Sequence, residues 1–283
     1  MIAEIMPIDR VLDLLCCPRC AEALTRRDGS VICTAGHAFD LARQGYLNLL
    51  GRAAPANADT GDMVAARERF LSRGRYAGLA DGLVAILRGH SAGPWVEVGA
   101  GTGYYLAYVL QRLGGRGVAI DVSPAASRRA ARAHDQLGAV VADVWGRLPV
   151  RETAVEAVLC VFAPRNPAEF ARILRPDGAV VIAAPLPDHL IELRGPLGLL
   201  DLEADKQGRI SRTLADFFDP VESVEYRDRI RLDPESVIDL VSMGPNAFHH
   251  DHRRLAARIA ELDQPIEVSV AVAINAWRPR RRR

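Results

Sequence analysis

Four side chains between residues 17 and 37 set the strongest limit on this chain. Cys17 and Cys20 stand in Cys-Pro-Arg-Cys, followed by Cys33 and His37. The spacing is C-x2-C, twelve intervening residues, then C-x3-H. Three thiolates and one imidazole complete a tetrahedral shell, and a closed nitrogen–sulfur shell marks structural zinc. A catalytic zinc would keep one position open for water. The metal is therefore expected to staple a segment too small to bury a large core. Cys16 adjoins a ligand without belonging to the spacing. Cys160 sits in an apolar run and reads as a small buried hydrophobe.

The chain of 283 residues has ample length for one or two domains, and 49% hydrophobic with 25% charged residues describes an ordinary globular protein. No apolar run reaches about 18 residues, so a membrane span is not expected. The first ten residues carry acids and lack an apolar signal core, so a cytoplasmic protein is expected, a compartment that also suits metal-bound thiolates. A net charge of +1 does not announce a nucleic-acid binder. Almost every basic residue is nevertheless arginine, with Lys206 the lone lysine. That usage suits bidentate phosphate contacts and equally suits a compositional bias.

Residues 1–50 form the zinc module, and 51–61 have the small, polar composition of a linker. Two helices follow between Asp62 and Leu87, broken at Gly74, completing a 51–90 segment ahead of the main domain at 91–283. From Trp95 the pattern repeats strand, turn and helix. Strands are expected at Trp95–Val98, Val118–Val122, Ala139–Asp143, Val155–Phe162 and Ala179–Ala184, with helices to Leu113, at Pro124–His134 and at Pro167–Leu174. Such alternation implies a parallel sheet covered on both faces. Later signals are a helix capped at Asp233, another after Asp251, and a last strand near Glu267–Ala276.

Gly99, Gly101 and Gly103 follow the first of these strands, where glycine lets the backbone turn sharply and approach a ligand. Alone, G-x-G-x-G is shared with dinucleotide-binding folds and ordinary turns. Its context is more specific. Glu97 precedes the loop, and Asp121 ends the second strand 18 residues after Gly103, where a carboxylate can accept ribose hydroxyls. Asp143 ends the third strand, on the adenine side. Dinucleotide enzymes favour G-x-G-x-x-G so that a pyrophosphate reaches the helix end. Here the third glycine comes one residue early and Glu97 precedes the loop, a combination that resembles motif I of S-adenosylmethionine enzymes and so implies that cofactor rather than a nicotinamide one.

With these motifs on view, the zinc ligands and the Phe39-Asp40-Leu-Ala-Arg43-Gln-Gly45-Tyr46-Leu-Asn48 stretch resemble the amino-terminal module of the RlmA-type 23S rRNA guanine-N1 methyltransferases. The segment from Asp62 to Tyr76, the loop Val161–Pro167, Pro187–Leu193 and Met243-Gly-Pro245 extend the resemblance over nearly the whole chain. The match is nearest the branch that includes tylosin-type macrolide-resistance enzymes. It implies a class I (Rossmann-like) α/β methyltransferase domain preceded by a small zinc-binding domain. It implies zinc at Cys17, Cys20, Cys33 and His37, and cofactor contacts from Tyr76, Gly101, Thr102 and His189. It also implies methyl transfer to guanine N1 in a 23S rRNA hairpin near the peptide exit tunnel.

Guanine N1 lies on the Watson–Crick edge, so the target must be unpaired or flipped and is expected to stack on an aromatic ring. Phe162, at the end of the fourth strand, is placed for that. Asp188, His189 and His249 are candidate bases by loop position. The Phe162-Ala-Pro164-Arg165 stretch differs from the Asn/Asp-Pro-Pro-aromatic motif of exocyclic-amine enzymes. His249, His250 and His252 read as an exposed helix start rather than a metal site. Arg67, Arg69, Arg73 and Arg75 read equally as a solvated face or a phosphate-contacting strip. The zinc module, with six arginines against seven acids in residues 1–60, suits shape recognition of RNA or homodimer contacts as well as electrostatic grip. Two other readings share these features: a small-molecule methyltransferase, which leaves the zinc module unexplained, and a non-catalytic zinc RNA-binding protein, which leaves the glycine loop and its acids unexplained.

Overall fold

The computed structural model describes residues 5–90, 93–203, 205–249 and 251–280. Two short 3-10 turns, Pro7–Arg10 and Leu12–Leu14, lead into a three-stranded antiparallel ribbon of β1 (Leu24–Arg27), β2 (Ser30–Cys33) and β3 (Ala38–Asp40). Then come β4 (Leu47–Asn48) and helices α1 (Gly61–Ser72) and α2 (Ala77–Leu87). Thr60 caps α1 by accepting the Met63 N–H, and Gly74, at φ +71°, turns the chain between the two helices.

The doubly wound part runs β5 (Trp95–Val98), α3 (Tyr104–Leu113), β6 (Gly117–Asp121), α4 (Pro124–Ala130), β7 (Leu137–Val141), β8 (Val155–Val161), α5 (Pro167–Ile173) and β9 (Leu174–Pro185). It is followed by α6 (Ile191–Leu197), α7 (Lys206–Leu214), β10 (Phe218–Leu232), α8 (Pro234–Ser242), α9 (His252–Ala260) and β11 (Ile266–Pro279). One eight-stranded sheet has the order β10-β11-β9-β8-β5-β6-β7-β4. Strands β9, β8, β5, β6, β7 and β4 are mutually parallel, and β11 and β10 close the sheet as an antiparallel pair. The near-continuous Val, Ile, Leu and Ala runs of the parallel strands are explained by burial on both faces. The winding reverses between β5 and β8, and a ligand crevice opens at such a point outside the carboxyl ends of the strands.

Three features depart from the pattern expected. Helix α4 ends at Ala130 rather than at His134, because His134 already turns the chain: its Nδ1 accepts the Gln136 N–H and its carbonyl the Leu137 N–H. Strand β9 begins at Leu174, which pairs with Val155 across a bulge before Ala157 meets Ala179. Strand β10 carries no clear apolar alternation and is absent from the expected set. It forms the sheet's open edge, and most of its residues from Asp219 to Arg229 are exposed, so burial never shaped their pattern.

The zinc segment and the sheet share a core. Ile8, Val11, Leu15 and Leu47 pack in one buried cluster with Val118, Val140 and Val150, and β4 adds to β7 through Leu47–Val140 and Asn48–Val141 pairs. Gly138 in β7 permits this contact, since a Cβ there would lie 2.2 Å from Val11 Cγ2 and 3.3 Å from the Ile8 backbone. Gly138→Ala is expected to cost about 2 kcal/mol by overpacking, read as a lower midpoint in urea with an unchanged m-value; an unchanged midpoint would refute the close approach. Among the described residues no helix is long and apolar enough to cross a membrane.

Candidate functional site

The zinc ligands converge as their spacing requires. A tight knuckle follows Cys17: its N–H donates to the Glu22 carbonyl and its own carbonyl accepts the Ala21 N–H, with Ala21 in the left-handed region at φ +63°. Cys33 ends β2, and His37 lies in the turn before β3. The four donor atoms all lie within 4.8 Å of one another. Individual separations are 3.6 Å for Cys17 Sγ to His37 Nδ1, 3.7 Å for Cys20 Sγ to Cys33 Sγ and 3.4 Å for Cys33 Sγ to His37 Nδ1. A tetrahedron with Zn–S bonds of about 2.3 Å has edges of about 3.8 Å, so the donor set fits zinc. Cys16 stays outside it, donating its N–H to the Pro149 carbonyl and bridging to Ala23.

At the end of β5 the glycine loop adopts left-handed backbone at Gly99, Gly101 and Gly103, with φ of +61°, +55° and +74°. A Cβ at Gly99 would lie 2.5 Å from Ala163 Cβ, so the loops after β5 and β8 abut at the switch point. Glu97 lies beneath the loop, buried, with Oε2 accepting the Leu106 N–H in the first turn of α3; burial pushes its carboxyl up to about 8. It thus supports the loop from below. Asp121 faces the loop directly, accepting the Gly101 and Ser123 N–H groups at 2.8 Å each. Thr102 is buried in the loop. Asp143, beyond β7, accepts the Trp145 N–H and pairs with Arg52 of the linker at 2.6 Å.

Across the crevice, Tyr76, Phe162 and His189 meet although they come from three distant stretches of chain. The Phe162 and His189 ring centroids are 5.9 Å apart at 28°, and each lies 6.4 Å from the Tyr76 ring. Tyr76, at the start of α2, is 2% exposed and packs edge-on against Phe70 at 5.1 Å. Phe162 is 41% exposed and held at φ +52°, an unfavourable conformation for a bulky residue and one that recurs at functional sites. His189 is 8% exposed, and its Nδ1 accepts the Ala271 N–H at 3.2 Å. Burial, aided by the charges of Arg194 and Lys206 against the opposing Asp188, lowers its imidazole to about 4. The ring is therefore neutral at pH 7 with its hydrogen on Nε2.

Of the three candidate bases, only His189 joins this cluster. Asp188 turns to Arg227 on β10 and forms an ion pair there. His249 is exposed after the Pro245–Phe248 turn, and no ring contact or hydrogen bond links it to the cluster among the described residues. His250 lies outside the described residues. Three of the arginines of α1 and its following turn, of which Arg69 and Arg73 are exposed, are drawn toward the start and inner face of α8. Arg69 chelates Asp239 of α8, Arg73 donates to Ser236, and Arg75 lies 4.0 Å from Asp233. Arg67 diverges from them: it pairs with Asp59 and donates to the Met243 carbonyl directly over Gly101. Sequence reasoning missed Arg67 and Asp59 as parts of this site. The available signal was the placement of a linker acid eight residues before an arginine, which the neighbouring arginines obscured.

Comparison with known proteins agrees with this architecture. A family model for the RlmA amino-terminal zinc ribbon matches residues 15–53, and a methyltransferase-domain model matches 96–178. The 23S rRNA (guanine(748)-N(1))-methyltransferase of Streptomyces fradiae is 45% identical over 95% of this chain and 98% of its own length. A Micromonospora griseorubida protein named for the same guanine-N1 activity is 42% identical over the same shares. A solved complex of the Haloferax volcanii Trm112 activator with a methyltransferase shares the fold, with a TM-score of 0.54 at 21% identity over 79% of this chain and 99% of that one. With a zinc ribbon, a class I methyltransferase domain and full-length relatives of this identity, the chain belongs to the RlmA-type 23S rRNA (guanine-N1)-methyltransferases.

Proposed function

We propose that this enzyme modifies N1 of the guanine corresponding to position 748 of 23S rRNA, the position in the name of its Streptomyces fradiae relative. The resistance role implied by the resemblance would follow from that mark. The observation that carries the reading is the Tyr76–Phe162–His189 cluster, set across the switch point from the glycine loop. The residues fit S-adenosylmethionine: left-handed glycines leave a cradle without Cβ atoms, and Asp121 stands where ribose hydroxyls would be accepted. When bound, that cofactor supplies the methyl group from an electrophilic sulfonium.

The chain's own contribution is placement, which can supply much of the rate in a bimolecular transfer. Phe162 offers an exposed face on which an unpaired guanine stacks. Tyr76 backs it, its phenol kept neutral by burial. His189 is a fixed neutral donor where acceptor and cofactor meet, because the Ala271 N–H occupies its basic lone pair. It therefore does not take the guanine N1 proton, which leaves to water as the N1–CH3 bond forms and the S–CH3 bond breaks. The zinc ribbon, needed for no step of the transfer, supplies a second surface for the RNA.

Incubation with S-adenosylmethionine and unmodified 23S rRNA fragments, followed by nucleoside mass spectrometry and site mapping, tests the reading. N1-methylguanosine at the single hairpin guanine is the expected product. Methylation elsewhere would reject the position, and no methylated nucleoside despite cofactor binding would return a small-molecule acceptor. Phe162→Ala is expected to lower kcat/KM for RNA by roughly 10- to 100-fold, the worth of one base stack. Its cofactor affinity should stay within about threefold, since the exposed ring supports little of the core; loss of affinity matching loss of rate would assign Phe162 to the cofactor instead.

A further inference from the structure

Arg67 lies in a site crowded with acids. Asp59, Glu97, Asp121 and Asp143 all stand around the carboxyl ends of β5, β6 and β7, and burial pushes the Glu97 and Asp121 carboxyls up while the Arg67 charge opposes that on both. The guanidinium is laid on the glycine loop: a Cβ at Gly101 would come within 2.7 Å of Arg67 Nη1 and 3.2 Å of its Cδ. Two anchors hold it there. Nη1 pairs with Asp59, and Nη2 donates to the carbonyl of Met243, just past α8. A guanidinium has five N–H donors in a rigid fork, so three remain for a ligand.

The order of strands gives this cation its meaning. Along the sheet, Asp143 follows β7, Asp121 ends β6, Gly101 follows β5 and Phe162 follows β8. A cofactor with its adenine toward Asp143, its ribose at Asp121 and its methyl toward Phe162 lays its amino-acid end over the loop of Gly101. S-adenosylmethionine carries two positive groups, the sulfonium and the ammonium, and a single negative one, the carboxylate. Asp121, the acid here without an arginine partner and facing the loop, suits the first two and repels the third. Arg52 is committed to Asp143 at the adenine end, and the charges of Arg194 and Lys206 act on His189 on the Phe162 side. We propose that Arg67 binds the carboxylate of the cofactor's methionine moiety, and that the linker acid Asp59 is the positioning residue that aims it. The proposal rests on the methyltransferase reading and adds to it a binding residue and a role for the linker. By this arrangement the segment joining zinc ribbon to catalytic domain takes part in holding the cofactor.

The test compares three ligands by calorimetry: S-adenosylhomocysteine, its carboxamide, and 5′-methylthioadenosine, which lacks the amino acid. Wild-type protein is expected to prefer the acid over the carboxamide by roughly 10- to 100-fold, the range for a charge-assisted hydrogen-bonded pair. Arg67→Met should reduce that preference to less than about threefold while methylthioadenosine binding stays within about twofold. Arg67→Lys, which keeps the charge without the fork, should fall between them and carries the test if Arg67→Met does not fold. A merely structural role would weaken all three ligands together and overturn the proposal. So would a wild-type protein indifferent to the carboxylate, whatever the variants do. Wild-type protein that binds none of the three would overturn the cofactor reading itself, and the assignment of Arg67 with it.

Discussion

Cys17→Ser, or removal of zinc by a chelator, is expected to lower the melting temperature of the whole protein by about 10 °C or more. Structural zinc contributes roughly 10–16 kcal/mol of apparent binding energy in small modules, and opening its shell forfeits a large part of that. For a chain of this size, a loss of 1 kcal/mol shifts Tm by about 2–4 °C. The effect should not remain in the ribbon, because Ile8, Val11, Leu15 and Leu47 pack into the same core as β6 and β7. Calorimetry should therefore show one transition that moves as a unit. RNA methylation should fall further than cofactor affinity, since the glycine loop, Asp121 and Arg67 lie outside the ribbon. Two separate transitions, with the larger one unmoved by chelation, would show that the shared core does not couple the two parts.

Acidification is expected to remove about 3 kcal/mol of stability through His189 alone, since each pH unit between the folded and unfolded values is worth about 1.4 kcal/mol. Its folded-state imidazole is lowered to about 4 from an ordinary value of 6.5. The unfolded chain therefore takes up the proton first as pH falls. The stabilisation is present in full above about pH 6.5 and is lost as pH drops toward about 4. Protonation also turns Nδ1 from an acceptor into a donor facing the Ala271 N–H, so the bond itself is lost. Measuring urea stability of wild type and His189→Asn from about pH 4 to 8 isolates the group, because acid release of zinc affects both proteins alike. The variant should be less stable at neutral pH and close the gap on acidification. A gap that stays constant with pH would mean that His189 is not held neutral by its surroundings.

Function was legible in the sequence wherever chemistry depends on residues close together in the chain. The knuckle at Cys17 and Cys20 with the pair Cys33 and His37 named the metal, and Gly99 to Gly103 between Glu97 and Asp121 named the cofactor class. Buried strands were legible for the same reason, since burial on both faces leaves unbroken apolar runs such as Val155–Val161. The open edge β10 left no such trace, because solvent places little demand on its pattern.

By itself, the sequence determined the zinc shell, the parallel sheet and the phase of the glycine loop, each a matter of local spacing. Tertiary structure alone decided the rest. It brought Tyr76, Phe162 and His189 together, turned Asp188 away toward Arg227, and set Arg67 apart from the arginines beside it. The reason is geometric. These encounters depend on β5 lying beside β8 and on α1 lying against α8, and the pairing of distant elements is written in no single stretch of chain.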